Sequence, residues 1–208
     1  AFDAEVERRC GAAVEAWRSL AVSSVSSNPA SSAGAAAADD IAAWAARCAA
    51  TEESSKAVLA HVVLWDQAAR HCARAAPSNN RPSAVAPLAP YAVAASRALL
   101  AAFGDDSKNQ LAAKWSSAER AMLLMPLRHT FDPDVIEAEV LPLVRRWRDT
   151  DDDPALWRRF ETAALRATTK ARTARLAPID PNPENDREAW IVNDDFSSPN
   201  AKWGDDDV

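Results

Sequence analysis

The stretch Leu59-Ala-His-Val-Val-Leu-Trp-Asp-Gln-Ala-Ala-Arg-His-Cys-Ala-Arg74 limits the fold more than any other part of the chain. At 3.6 residues per turn, Leu59, Val62, Val63, Asp66, Arg70 and Ala73 share one helical face, so a carboxylate and a guanidinium interrupt a stripe meant for the core. Burying either alone costs several kcal/mol. The spacing therefore predicts an Asp66–Arg70 pair one turn apart, with Gln67, His71 and Arg74 placed to extend it. A helix of this kind needs other helices around it.

The rest of the chain supplies them. Its 208 residues can build one substantial core, and only four glycines stand against a marked excess of alanine, which favours helix over sheet. Phe2, Val6, Ala13, Val14, Trp17 and Leu20 recur at helical spacing and predict a first helix. Residues 21–38, rich in Ser and Ala, read as a flexible insertion, after which Asp39 and Asp40 can cap a second helix carrying Ile41, Trp44, Ala45 and Cys48 inward. The third helix spans about Glu52 to Ala75 and Pro77 ends it. Four prolines between 77 and 90 make residues 77–89 irregular, and the last of them, Pro90, opens a fourth helix with Tyr91, Ala94, Ala98 and Ala101 inward.

Ser116-Ser-Ala-Glu119 has the spacing of a capping box and predicts a fifth helix that stops at Met125, before Pro126. Asp132-Pro133 and Asp153-Pro154 each combine an Asp cap with a first-turn proline, starting a sixth and a seventh helix, and Pro142 should kink the sixth. After Leu176 the periodicity ends. The reading is one helical domain over 1–176 and an extended acidic, aromatic tail over 177–208, which either stays disordered or docks through its aromatic residues.

Charge and cysteine usage narrow the class. The formal net charge is −6, and the chain from Pro178 onward carries nine acids against two bases, leaving a nearly neutral body. An acidic tail on a neutral body lacks the footprint of a nucleic-acid binder. The bases between Arg145 and Arg175 fall mostly in the last turns of two predicted helices, where cations favour the dipole. Cys10, Cys48 and Cys72 form no C-x-x-C pair and lie on or beside apolar stripes. They read as small packed thiols of a reducing, intracellular compartment, either cytoplasm or an organelle matrix such as the mitochondrial one. No run approaches the length of a membrane span, and a start at Ala1 is compatible with a processed organellar protein or a fragment.

Two segments, Leu64-Trp-Asp-Gln-Ala-Ala-Arg-His-Cys-Ala-Arg74 and Arg120-Ala-Met-Leu-Leu-Met-Pro-Leu-Arg-His-Thr130, can be read together. The pair resembles the bacterial-type family known as domain-of-unknown-function 924, whose members carry an L-D-Q-x-x-R-N-x-x-R helix followed by R-x-F-L-Y-x-P-x-x-H-S-E. The resemblance covers roughly Phe2 to Trp147, with Phe2-Asp3 and Trp44 matching an F-D and a Trp of that family. It implies an all-α fold of antiparallel helix pairs in a tetratricopeptide-like, α-solenoid array with an irregular C-terminal tail. Carried over residue by residue, the family's polar positions land on Asp66, Gln67, Arg70, Arg74, Arg120, Pro126 and His129. His71 stands where the family has Asn, His129-Thr-Phe131 stands for H-S-E, and a later G-R-F-P-H-R-N segment has no counterpart at Arg158–Arg166.

The residues leave two readings of Asp66, Gln67, Arg70, Arg74, Arg120 and His129. They form either a buried polar network that locks helices together, which is favoured, or an anion pocket around Arg70, Arg74 and His129 suited to phosphate or carboxylate. His61 and His71 lie on different faces of one helix and match no metal motif. No serine lies in G-x-S-x-G, and isolated glycines make no phosphate loop, so no catalytic residue, metal or cofactor is expected. Of eight tryptophans, Trp17, Trp44, Trp65, Trp115, Trp147 and Trp157 fit helix faces. Trp190, Phe196 and Trp203 belong to the tail and are the candidate partner contacts. The functional expectation is a non-enzymatic scaffold or accessory subunit that binds other protein subunits, and the alternative is an enzyme or small-ligand protein with the anion pocket.

Overall fold

The structure is a computed structural model that describes residues 2–25, 32–75, 87–102 and 114–176. Seven helices and no strand occur among the described residues. They are α1 (Phe2–Val25), α2 (Ser32–Cys48), α3 (52–75), α4 (Ala89–Ala102), α5 (Ser117–Arg128), α6 (133–150) and α7 (Pro154–Leu176). None is long and apolar enough to cross a membrane.

The start signals act as local chemistry dictates. Ser116 and Glu119 form a reciprocal capping box on α5, and Asp132 accepts a hydrogen bond from the Asp134 amide with Pro133 in the first turn of α6. Asp153 likewise accepts from the Leu156 amide at the head of α7, 2.9 Å away. Thr51 caps α3 through the Ser54 amide. Each cap satisfies amides that the first helical turn leaves without partners.

Helix α3 is the centre of the bundle and packs on α1, α2, α4 and α5. It runs antiparallel to α1, since Asp3 meets His71 while Trp17 meets His61. It runs parallel to α5, since Lys56 reaches Glu119 and Asp66 reaches His129. Helices α6 and α7 form an antiparallel hairpin closed by Arg145–Glu161 and Arg172–Glu137 ion pairs, with Trp147 and Trp157 in contact inside it. The arginines read as dipole cations are thus also engaged with carboxylates. Trp65, Trp115, Trp147 and Trp157 are buried, and Trp17 and Trp44 pack on the same core.

Several boundaries and faces differ from the sequence reading. Helix α1 continues to Val25 and α2 begins at Ser32, so most of 21–38 is helical and Asp39 and Asp40 sit within a helix instead of capping it. Alanine has the strongest helix propensity, and the Ala-rich run carries the helix well upstream of both acids. Residues 26–31 and 76–86 lie outside the described part, so most of the irregular segment 77–89 does too. Phe2 and Leu20 are each 63% exposed and Ala13 is also outward. The inward stripe of α1 is Val6, Cys10, Val14, Trp17 and Ala21, a tighter i,i+3/i+4 track in which Val14 and Ala21 are buried. On α4 the inward face is Tyr91, Ala92, Ala95, Ser96 and Leu99, whereas Ala101 is exposed.

The prolines act differently as well. Helix α5 runs through Pro126 to Arg128, because only one backbone donor is lost and the surrounding Leu124, Met125 and Leu127 are buried. In α6 the backbone adopts a π turn over Ile136–Val140, directly before α-geometry resumes at Leu141 with Pro142 in its first turn. The wider turn absorbs the missing Pro142 donor within a continuous helix. A second π turn, Leu64–Ala68, lies in the middle of α3. It turns Trp65 and Asp66 inward together, while Val63 is only half-buried.

Candidate functional site

Asp66 sits on the α3 π turn and is almost completely buried, with 2% of its side chain exposed. Its Oδ1 accepts from Arg70 Nε at 3.0 Å, one turn later on the same helix. Its Oδ2 accepts from Gln67 Nε2 at 2.5 Å and lies 2.8 Å from His129 Nδ1. His129 comes from the turn that ends α5. That turn is closed by Phe131, whose φ of 50° is left-handed and whose ring stacks on His129. Such a backbone conformation is strained for a side chain as large as Phe, and it holds the imidazole in place.

The far side of His129 meets Arg128, whose Nη2 lies 2.8 Å from His129 Nε2. A guanidinium only donates, so Nε2 presents its lone pair and the ring proton sits on Nδ1, facing Asp66. Arg128 is itself buried with its guanidinium 5.4 Å above the Phe160 ring. Burial acts to raise the Asp66 carboxyl, but the bonds it makes with His129 and then with Arg70 outweigh it and hold the group well below the ordinary carboxylate range. A carboxylate orienting an imidazole is the geometry of a general base. Here the nitrogen that would face a substrate already accepts from Arg128, and the dyad is sealed in the core.

The other residues marked by sequence separate into two further groups. Arg120 joins a distinct centre between α5 and the α6–α7 corner, where Nη2 donates to Asp151 Oδ2 at 2.5 Å. The same oxygen accepts from Trp157 Nε1 at 2.5 Å and from Ser117 Oγ at 2.9 Å, and the Asp152 amide donates to Oδ1. Arg120 also lies over the rings of Trp147 and Trp157, 5.5 and 5.8 Å from their centroids. Burial would raise the Asp151 carboxyl, yet hydrogen bonds from Trp157, Asp152 and Ser117 hold it far below its usual value.

Arg74 and His71 belong to the third group, at the joint of α1 and α3. His71 Nδ1 is 2.5 Å from Asp3 Oδ1 and also 2.5 Å from Arg74 Nη2. One nitrogen cannot donate to the carboxylate and accept from the guanidinium, so the Asp3 bond takes precedence and Arg74 adds two longer contacts to Asp3 at 3.4 Å. Burial raises the Asp3 carboxyl and the His71 and Arg74 bonds bring it below its ordinary value. Phe2 stands edge-on to His71 at 4.9 Å. Thus Asp66, Gln67, Arg70 and His129 come together, while Arg74 and Arg120 each serve a different carboxylate.

His61 is enclosed by tryptophans instead of carboxylates. Its ring lies 5.3 to 6.1 Å from those of Trp17, Trp44 and Trp65, and Nδ1 bonds the Ala57 carbonyl. No group of three or more His, Cys, Asp and Glu side chains converges among the described residues. Cys72 is buried, and Cys10 and Cys48 are half-buried free thiols. Trp190, Phe196 and Trp203 lie outside the described residues.

Three participants escaped the sequence reading as site residues. Arg128 bonds its chain neighbour His129, a spacing that carries no helical pairing signal, and Asp151 meets Arg120 from 31 residues away. Asp3 had one signal, its place in the Phe2-Asp3 match. Comparison of the chain with protein-family models, curated proteins and solved structures gave no significant match.

Proposed function

We propose that this chain is a non-enzymatic helical scaffold or accessory subunit, its helix pairs arranged as a tetratricopeptide-like array and its descent shared with the domain-of-unknown-function 924 family. The observation that carries the reading is the saturation of the Asp66 centre. Both carboxylate oxygens and both imidazole nitrogens have protein partners inside the core, so the most polar point of the molecule is occupied in holding α3 to the end of α5. The tail supplies the contact to other subunits through Trp190, Phe196 and Trp203, aromatic anchors in a polar setting. The half-buried and buried thiols suit a reducing compartment, cytoplasm or organelle matrix. Trp190→Ala and Trp203→Ala should abolish co-purification of partner subunits from native extract without altering the helical circular dichroism spectrum. Unchanged co-purification contradicts the proposal.

A second reading rests on the Asp3 joint. There His71 and Arg74 face one carboxylate near the surface, and the Arg74 bonds to it are long, so a phosphate or carboxylate ligand could compete for the cations. A thermal-shift screen with phosphorylated and carboxylated metabolites, repeated on Arg74→Ala, separates the two. Stabilisation present in the parent and absent in the variant favours the ligand-binding reading.

A further inference from the structure

A groove of about 530 Å³ runs between α2 and α4, walled by Ala42, Pro90, Val93, Ala98 and Ala101. Asp39 and Arg97 also line it. Its walls are apolar and shallow, with no buried charge to fix a polar ligand, which suits an aromatic side chain better than a metabolite. Arg97 leads from this groove toward the end of the last helix. It grips Glu139 through two bonds of 2.7 and 2.8 Å, and Glu137, on the same π turn of α6, is held by Arg172 of α7 at 2.8 Å. The described chain ends at Leu176, one turn beyond Arg172.

We propose that the chain's own tail occupies this groove, with the segment from Trp190 to Phe196 as the anchor. Three observations converge. The described chain ends one turn beyond Arg172, which bonds the α6 turn whose Glu139 holds the groove residue Arg97, and the fourteen residues from Leu176 to Trp190 can span roughly 45 Å, more than the width of a small domain. The route is lined by Arg172 and Arg97, whose side chains are 57% and 47% exposed and can each take a second carboxylate, while the tail is strongly acidic. Tethering also raises the local concentration of the aromatic residues to the millimolar range, so even a weak apolar contact is populated. The contact is that of the chain free of partners, and a partner subunit that takes Trp190 and Phe196 displaces it.

Hydrogen exchange of the full chain tests this. Amides of residues 188–198 should exchange about tenfold or more slowly than in an unstructured peptide, and Ala101→Glu and Trp190→Ala should each restore the unstructured rate without changing exchange in α3 and α5. Ala101 is exposed and Trp190 lies in the tail, so neither variant threatens the fold. Unprotected tail amides in the parent protein, or protection that survives both variants, would overturn the proposal. Protection that grows with protein concentration would overturn it too, by placing the tail on a second copy.

Discussion

The Asp66 and Asp151 centres are both buried carboxylates facing an arginine, yet they are built by opposite means. Asp66 and Arg70 are neighbours on one helix, and the tertiary contribution arrives from His129 and Arg128 at the end of α5. Asp151 follows the last turn of α6 and draws Arg120, Ser117 and Trp157 from two other helices. The first centre is a local pair completed by the fold, and the second exists only because of the fold. The difference governs both how each responds to mutation and how visible each is in sequence.

Removing the carboxylate at Asp66 should have the larger effect. Asp66→Ala leaves Arg70 and the His129–Arg128 pair buried without their anion, and a loss of about 3–5 kcal/mol in urea unfolding is expected. Asp151→Ala should cost less, about 1.5–3 kcal/mol, because Arg120 keeps its stacking on Trp147 and Trp157. Arg120 and Arg128 are eight residues apart on α5, roughly 12 Å along the axis, and the two centres share no bonded partner among the contacts described. The double variant should therefore equal the sum of the singles within about 0.5 kcal/mol. A large departure would merge the two centres into one.

The pH response sharpens the comparison more gently. Both carboxyls titrate lower in the folded protein than in the unfolded chain, where Asp titrates near ~3.9. Between the two values the unfolded state binds more protons, so stability rises with pH. The contribution is complete above about pH 5 and is lost as pH falls through the unfolded value toward the folded one. Acid titration of stability should be steep in the parent protein and shallower in Asp66→Asn and in Asp151→Asn. An unchanged slope in either variant would show that the carboxyl concerned is not depressed.

What could be read in the sequence follows the same division. Caps at Ser116, Asp132 and Asp153 act over two or three residues and were legible, as was the Asp66–Arg70 pairing at i,i+4. Arg120 was marked only through the family resemblance, and nothing local pointed to Asp151 as its partner. The π turn at Leu64–Ala68 carries no glycine or proline to announce it, and it decides that Trp65 and Asp66 both turn inward. Asp39 and Asp40 show the converse error, in which a local cap signal yields to a long run of helix-forming alanine. The all-helical class was thus available from composition and periodicity, while the membership of each polar centre depended on chain reversals that no local pattern encodes.

The central claim is that Asp66 and His129 form a structural clamp between α3 and the end of α5. A double-mutant cycle with Asp66→Ala, His129→Ala and the combined variant, measured by urea denaturation, tests it most directly. The account predicts a coupling of about 1–3 kcal/mol between the two positions. Strict additivity, with coupling within about 0.3 kcal/mol of zero, would contradict it.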